Sequence, residues 1–129
     1  VKANTHSSKK AKGKRLEQAV AKAYRQYEVD ETARPMPMSG AMTHFKGDVF
    51  KQNDYMFVDE CKNTERIKFW DFWEQAVSQA SNGRKPVLHV SANHRPIVTC
   101  ISLEDYMDMR KSVLDLENYV NELERRLDA

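Results

Sequence analysis

Residues 47–62 read GDVFKQNDYMFVDECK. Two short apolar runs flank a polar turn at Gln52-Asn53-Asp54, the pattern of a β-hairpin with strands over 47–51 and 54–62. Side chains alternate along a strand, so Glu60 and Lys62 continue the face begun by Met56 and Val58. An apolar strand therefore ends with an acid and an ammonium on one face. In an antiparallel pair the start of one strand lies near the end of the next, which brings Asp48 opposite Glu60. Two carboxylates converging there repel unless one is protonated or a cation sits between them. A hard divalent cation suits such oxygen ligands, chiefly Mg²⁺ with Mn²⁺ as its substitute. Lys62 would stand beside the ion, able to orient an attacking water or stabilise developing negative charge. This set fits phosphodiester hydrolysis, in which metal ions lower the pKa of water and neutralise the phosphate. The plainer reading of the same residues is an ion pair at an exposed strand end, worth little to stability.

The flanking sequence supplies the rest of an α/β domain. Leu16, Val20, Ala23, Tyr24 and Tyr27 recur at helical spacing and predict a helix over 11–27, with Gly13 in the turn at its start. Glu17 lies beside that stripe and is a candidate third carboxylate. Pro35, Pro37, Ser39 and Gly40 make 31–50 extended or looping up to the hairpin. A second helix is expected over 69–81, with Asp71 and Glu74 either as a capping box or with Asp71 simply within the first turn, and Asn82-Gly83 as its stop. PVLHV (86–90) and PIVTCIS (96–102) read as two more strands. Phe69, Trp70, Phe72 and Trp73 open the second helix, and they suit core packing or, where exposed, base stacking.

From Ser102 the chain reads as one long helix. Tyr106, Met109, Val113, Leu116, Val120, Leu123 and Leu127 alternate at spacings of three and four, a heptad seam. Such a seam either lies on its own domain's sheet or, as the narrow stripe and acidic flanks favour, pairs two chains. Three segments follow: a basic arm over 1–10, a domain over 11–101, and a dimerisation helix over 102–129.

Composition narrows the function classes. The 129 residues are 40% hydrophobic and 31% charged, with a net charge of +2 that hides an asymmetry. Residues 102–129 carry 4 Lys/Arg and 8 Asp/Glu, while the remainder carries 17 and 11. Lys2, Lys9, Lys10, Lys12, Lys14 and Arg15 precede the first acid, a pattern that suits a polyanionic partner. Lys12, Lys14, Arg15, Arg34 and Lys46 are candidate contacts to DNA phosphates. Nothing approaches the roughly 20 apolar residues of a membrane span, and no secretory pattern opens the chain. Cys61 and Cys100 have no metal-like spacing, which argues against structural zinc and for a reducing, cytoplasmic setting. No Ser-His-Asp, Cys-His or Gly-rich phosphate-cradling pattern is present. His44 lies between the Ser-Gly loop and Asp48, either as a polar loop residue or within reach of a phosphate.

The residues GKRLE (13–17), RPMPMSG (34–40), GDV (47–49) and VDECK (58–62) together resemble the PD-(D/E)xK nuclease superfamily, and within it the archaeal-type Holliday junction resolvases. Proteins of this build also occur in bacteriophages. The likeness runs from about Gly13 to Ile101 and implies a restriction-endonuclease-like mixed sheet flanked by helices. It implies that Glu17, Asp48 and Glu60 bind metal, that Lys62 assists catalysis, and that Ser39 lies near the scissile phosphate. A glutamine of the second helix, Gln75 or Gln79, is expected to point at the site. Gly47 stands where the motif has proline, and the long tail has no counterpart in the compact archaeal form. The expectation is a Mg²⁺-dependent endonuclease of branched DNA, acting as a homodimer through 106–127 in the cytoplasm of a bacterial, archaeal or phage-infected cell. The alternatives are a nuclease of linear or mismatched duplex and a non-catalytic DNA-binding module.

Overall fold

The computed structural model describes residues 6–37 and 45–129, with the side chains of the first helix described from Ser8 onward. Helix α1 spans His6–Gln26, followed by strands β1 (Arg34–Pro35), β2 (Val49–Phe50) and β3 (Phe57–Asn63). Helix α2 (Phe69–Gln79) leads to β4 (Lys85–Ser91) and β5 (Val98–Cys100), and helix α3 spans Leu103–Leu127. β3 and β4 are parallel with α2 as their crossover, and β5 returns antiparallel to β4, giving a mixed sheet of order β3-β4-β5. The α/β class and the mixed sheet agree with the sequence reading.

The hairpin does not form. β2 pairs with β1 in a separate two-stranded sheet, and no ladder joins β2 to β3 among the described residues. The reason lies in the polar turn. The backbone N–H groups of Asn53 and Asp54 both donate to the buried Asp30 carboxylate, at 2.8 and 2.7 Å, and Thr32 donates to its other oxygen. With its donors committed to the loop after α1, the turn cannot fold the two runs flat against each other. A single backbone bond remains between them, from Asp48 N–H to the Asp59 carbonyl at 2.7 Å.

Strand alternation divides β3 between two helices. Asp59 and Cys61 face α1, where Leu16, Val20, Ala21, Ala33, Val49 and Cys61 make one apolar cluster under Tyr24. Glu60 and Lys62 point to the opposite face, where Ala76, Leu88 and Val90 pack with Phe69, Phe72, Trp73 and Cys100. Most of the aromatic group at 69–73 is thus core, as its spacing allowed.

Boundary corrections have simple causes. α1 begins at His6, not at residue 11, and Gly13 lies inside it, at a helix-interior cost of about 0.5–1 kcal/mol. α2 begins at Phe69 with Lys68 as N-cap, so Asp71 falls within its first turn and the Asp71–Glu74 box does not form. At α3, the Ser102 hydroxyl accepts the Asp105 N–H at 3.0 Å, with Glu104 and Asp105 in the first turn and Arg125 and Arg126 in the last. Lys85 ties the start of α3 to β4 through Asp105 at 2.9 Å and Asp108 at 3.5 Å. No residue of α3 is buried, and Leu116 and Leu127 are 64% and 84% exposed. Packing on its own sheet does not cover the seam.

Asp59 is fully buried and holds the two sheets and α1 together. Lys51 Nζ lies 2.8 Å from Oδ1, while Tyr24 OH at 2.6 Å and His89 Nε2 at 2.7 Å meet Oδ2. The Thr99 hydroxyl of β5 sits 2.9 Å from His89 Nδ1 and extends the chain. Removing one partner of a buried ion pair strands the other charge. Asp59→Ala is therefore expected to cost about 3–5 kcal/mol in denaturant unfolding at neutral pH; a loss within measurement error would show that Lys51 finds other solvation.

Candidate active site

The site lies along the free edge of β3. Asp48 reaches that edge through two bonds: its N–H donates to the Asp59 carbonyl, and its Oδ2 accepts the Cys61 N–H at 2.8 Å. Gly47 makes this approach possible. Its φ is +94°, and a Cβ there would stand 2.8 Å from both the Asp59 carbonyl oxygen and a Val58 methyl. Proline, confined to φ near −65°, cannot occupy the position, so the departure from the motif's proline is a requirement of this backbone.

Around Asp48 the acids converge. Glu60 is buried beside Asp48. Burial first, and then the Asp48 charge, pushes the Glu60 carboxyl up to about 7. Burial also raises Asp48, against the Cys61 N–H and the Lys62 charge, which favour its ionised form. Glu17 on α1 is raised by partial burial and by Asp48, with Lys14 opposing. Lys62 Nζ stands 3.7 Å from Glu60 and 5.3 Å from the Phe72 ring centroid, so α2 backs the ammonium. Cys61 is buried and its thiol is pushed up, chiefly by burial and then by Asp48, which leaves it a packing residue and not a nucleophile.

The structure thus brings Asp48, Glu60 and Lys62 together, with Glu17 close enough to feel Asp48. Ser39 and His44 lie outside the described residues. Gln75 is exposed, Gln79 is half-buried, and neither donates into the site among the described residues. Lys14, Arg15, Arg34 and Lys46 are exposed, as phosphate contacts must be, with the Arg34 guanidinium 4.7 Å above the Phe50 ring. Lys12 is a correction: it is only 7% exposed, and its carbonyl accepts the Asn63 side-chain amide at 3.0 Å, so its place is within the fold. Sequence reasoning missed Asp59, although it adjoins Glu60; the signal was two consecutive acids in an apolar strand, which must face opposite ways.

Among the described residues no three His, Cys, Asp or Glu side chains close into a preformed metal cage. Mg²⁺ does not require one, since it usually keeps several waters and takes one or two carboxylates plus substrate phosphate. The donor set fits such an ion: Asp48 and Glu60 are two hard carboxylates that converge at the edge of β3, where a cation would relieve their repulsion. A groove of about 540 Å³ lies away from these residues, between α1 and β5.

The described residues thus form a mixed three-stranded sheet flanked by helices, with Asp48, Glu60 and Lys62 gathered at the edge of β3. A family model described as phage putative PDDEXK endonuclease matches residues 8–126, and the chain belongs to that family. No curated protein and no solved structure matches it. No helix among the described residues is long and apolar enough to cross a membrane.

The raised Glu60 carboxyl has a consequence for stability. Without metal, the folded protein keeps this proton up to about pH 7, whereas the unfolded chain releases it near 4.5. The native state then binds more protons across that window, and its stability falls as pH rises through it. Glu60→Gln, uncharged throughout, should flatten the decline in melting temperature of the chelator-treated protein between those two pKa values. An unchanged slope would place the proton on another group.

Proposed function

We propose that this protein is a Mg²⁺-dependent DNA endonuclease selective for branched duplexes, resolving four-way junctions as a homodimer. The observation that carries the nuclease reading is the convergence of Asp48, Glu60 and Lys62 on one strand edge, with Glu17 beside them. Asp48 and Glu60 would hold the ion, and Mn²⁺ would substitute for Mg²⁺. The bound ion would supply Lewis-acid activation of water and charge neutralisation at the scissile phosphate. Lys62 would orient the attacking water and stabilise charge on the phosphate, its ammonium steadied by Glu60 and the Phe72 face. Cys61 N–H and the Gly47 turn keep the Asp48 carboxylate at the edge. Lys14, Arg15, Arg34 and Lys46 would contact backbone phosphates, giving an affinity that falls with salt.

The test is cleavage of a labelled four-way junction beside a linear duplex of the same arms, with Mg²⁺ and with chelator. Paired, Mg²⁺-dependent cuts near the branch point are expected, and Asp48→Asn should abolish them while DNA binding persists. Equal cutting of both substrates would keep the nuclease and discard the junction. Binding without cutting would make the protein a DNA-binding module.

Two cuts in strands related by approximate two-fold symmetry call for two equivalent sites, which a C₂ homodimer provides. The support for pairing is the exposed seam of α3, from Tyr106 and Met109, which line the groove against Thr99 and Ile101, to Leu127. Leu116→Asp with Val120→Asp changes two exposed positions and should leave the domain folded. Sedimentation is expected to show monomers for this variant and dimers for the wild type at micromolar concentration; a dimeric variant would move the interface off the seam.

A further inference from the structure

We propose that Trp70 is a base-stacking residue, engaging an unpaired or splayed nucleobase of the bound DNA. The proposal rests on the nuclease reading above and names the feature of the DNA that the enzyme would select. Four aromatic residues open α2, and three of them pack inward. Phe69, Phe72 and Trp73 lie against Ala76, Leu88 and Val90. Trp70 turns the other way and is 71% exposed. The exposed indole presents a free aromatic face of the kind on which bases stack.

The ring is buttressed. Phe69 meets Trp70 edge to face at 5.0 Å, and Phe69 is itself stacked on Trp73 at 6.5 Å with planes 4° apart. A row of rings thus runs from the core to the surface and steadies the outermost indole as a platform. Phe72, on the same helical turn, lies beneath the Lys62 ammonium, which in turn pairs with Glu60. Trp70 is two residues from Phe72, so the two rings leave α2 on different flanks.

The charges sort the approach. Arg66 and Lys68 are exposed on the segment leading into α2, where they can hold phosphates. Asp71 and Glu74, exposed on α2 itself, repel a backbone laid along the helix. A strand anchored on the Arg66–Lys68 side presents a base, not a phosphate, to Trp70. In intact duplex every base is already stacked within the helix. Branch points and single-stranded segments offer free faces, and stacking on an aromatic side chain is tolerant of sequence.

The test uses the full-length protein in chelator, so that no DNA is cut, and compares wild type with Trp70→Ala and Trp70→Phe. Three probes are bound: a four-way junction with 2-aminopurine at the branch, the matching linear duplex, and single-stranded oligothymidine. Trp70→Ala is expected to lose about 10- to 100-fold in affinity for the junction and the single strand. It should leave the duplex and the sedimentation behaviour unchanged. Trp70→Phe should recover most of the loss, and the 2-aminopurine emission should respond to wild type but not to Trp70→Ala. Equal loss on all three probes, no loss on any, or a change in oligomeric state would overturn the assignment, the last making Trp70 a protein contact. The parent reading fails separately, if wild type with Mg²⁺ cuts no DNA; a Trp70-dependent single-strand affinity would survive that result.

Discussion

The buried carboxylate of Asp59 is the interaction on which the rest of the molecule depends. It gathers Lys51 from the segment after β2, His89 from β4 and Tyr24 from α1, and through His89 it reaches Thr99 on β5. A buried charge is costly unless it is paired and hydrogen-bonded, and here both oxygens are engaged. Burial alone would raise this carboxyl, yet the His89 bond and the Lys51 charge hold it below the ordinary aspartate range. The Tyr24 phenol is pushed the other way, by burial and then by Asp59. Two small sheets that share no ladder among the described residues are thereby fixed to one another.

The same strand carries Glu60 and Lys62 on its other face. Because Asp59 is held from behind, Glu60 and Lys62 project forward from a strand that cannot slide. Because the Asp59 carbonyl takes the Asp48 N–H, the aspartate from the smaller sheet arrives at the same edge. Burial first, and then the Asp48 charge, push the Glu60 carboxyl up to about 7. Such a pair is stable when protonated or when bridged by a cation, and only the second state provides a charge for phosphate chemistry.

Two surfaces have no work to do within one chain. The seam of α3 runs beyond the part of the helix that Lys85 ties to β4, and its leucines and valines are exposed over several turns. Trp70 stands apart from the aromatic cluster that fills the core under α2. The first has the heptad periodicity of helix pairing. The second has Arg66 and Lys68 exposed on the segment that leads into it.

Much of this was legible from the sequence. The helical stripes, the strands of the mixed sheet, the long final helix and the acid-x-lysine at the end of an apolar strand all follow from local periodicity, which the side chains report directly. Membership of the endonuclease family is consistent with those same residues. Pairing partners were not legible. Whether β2 joins β3 or β1 depended on Asp30, distant in sequence, capturing the N–H groups of the turn. Lys12 counted as a surface cation because charge was read without burial, and Gly47 counted as a departure because a missing proline shows no φ. Asp59 escaped notice for a related reason: alternation assigns neighbouring acids to opposite faces, but only the packed helix and strands decide which face becomes core. The sequence by itself determined the elements and the chemical groups they carry; the tertiary structure alone decided which of those charges were buried together and which were left to meet a substrate.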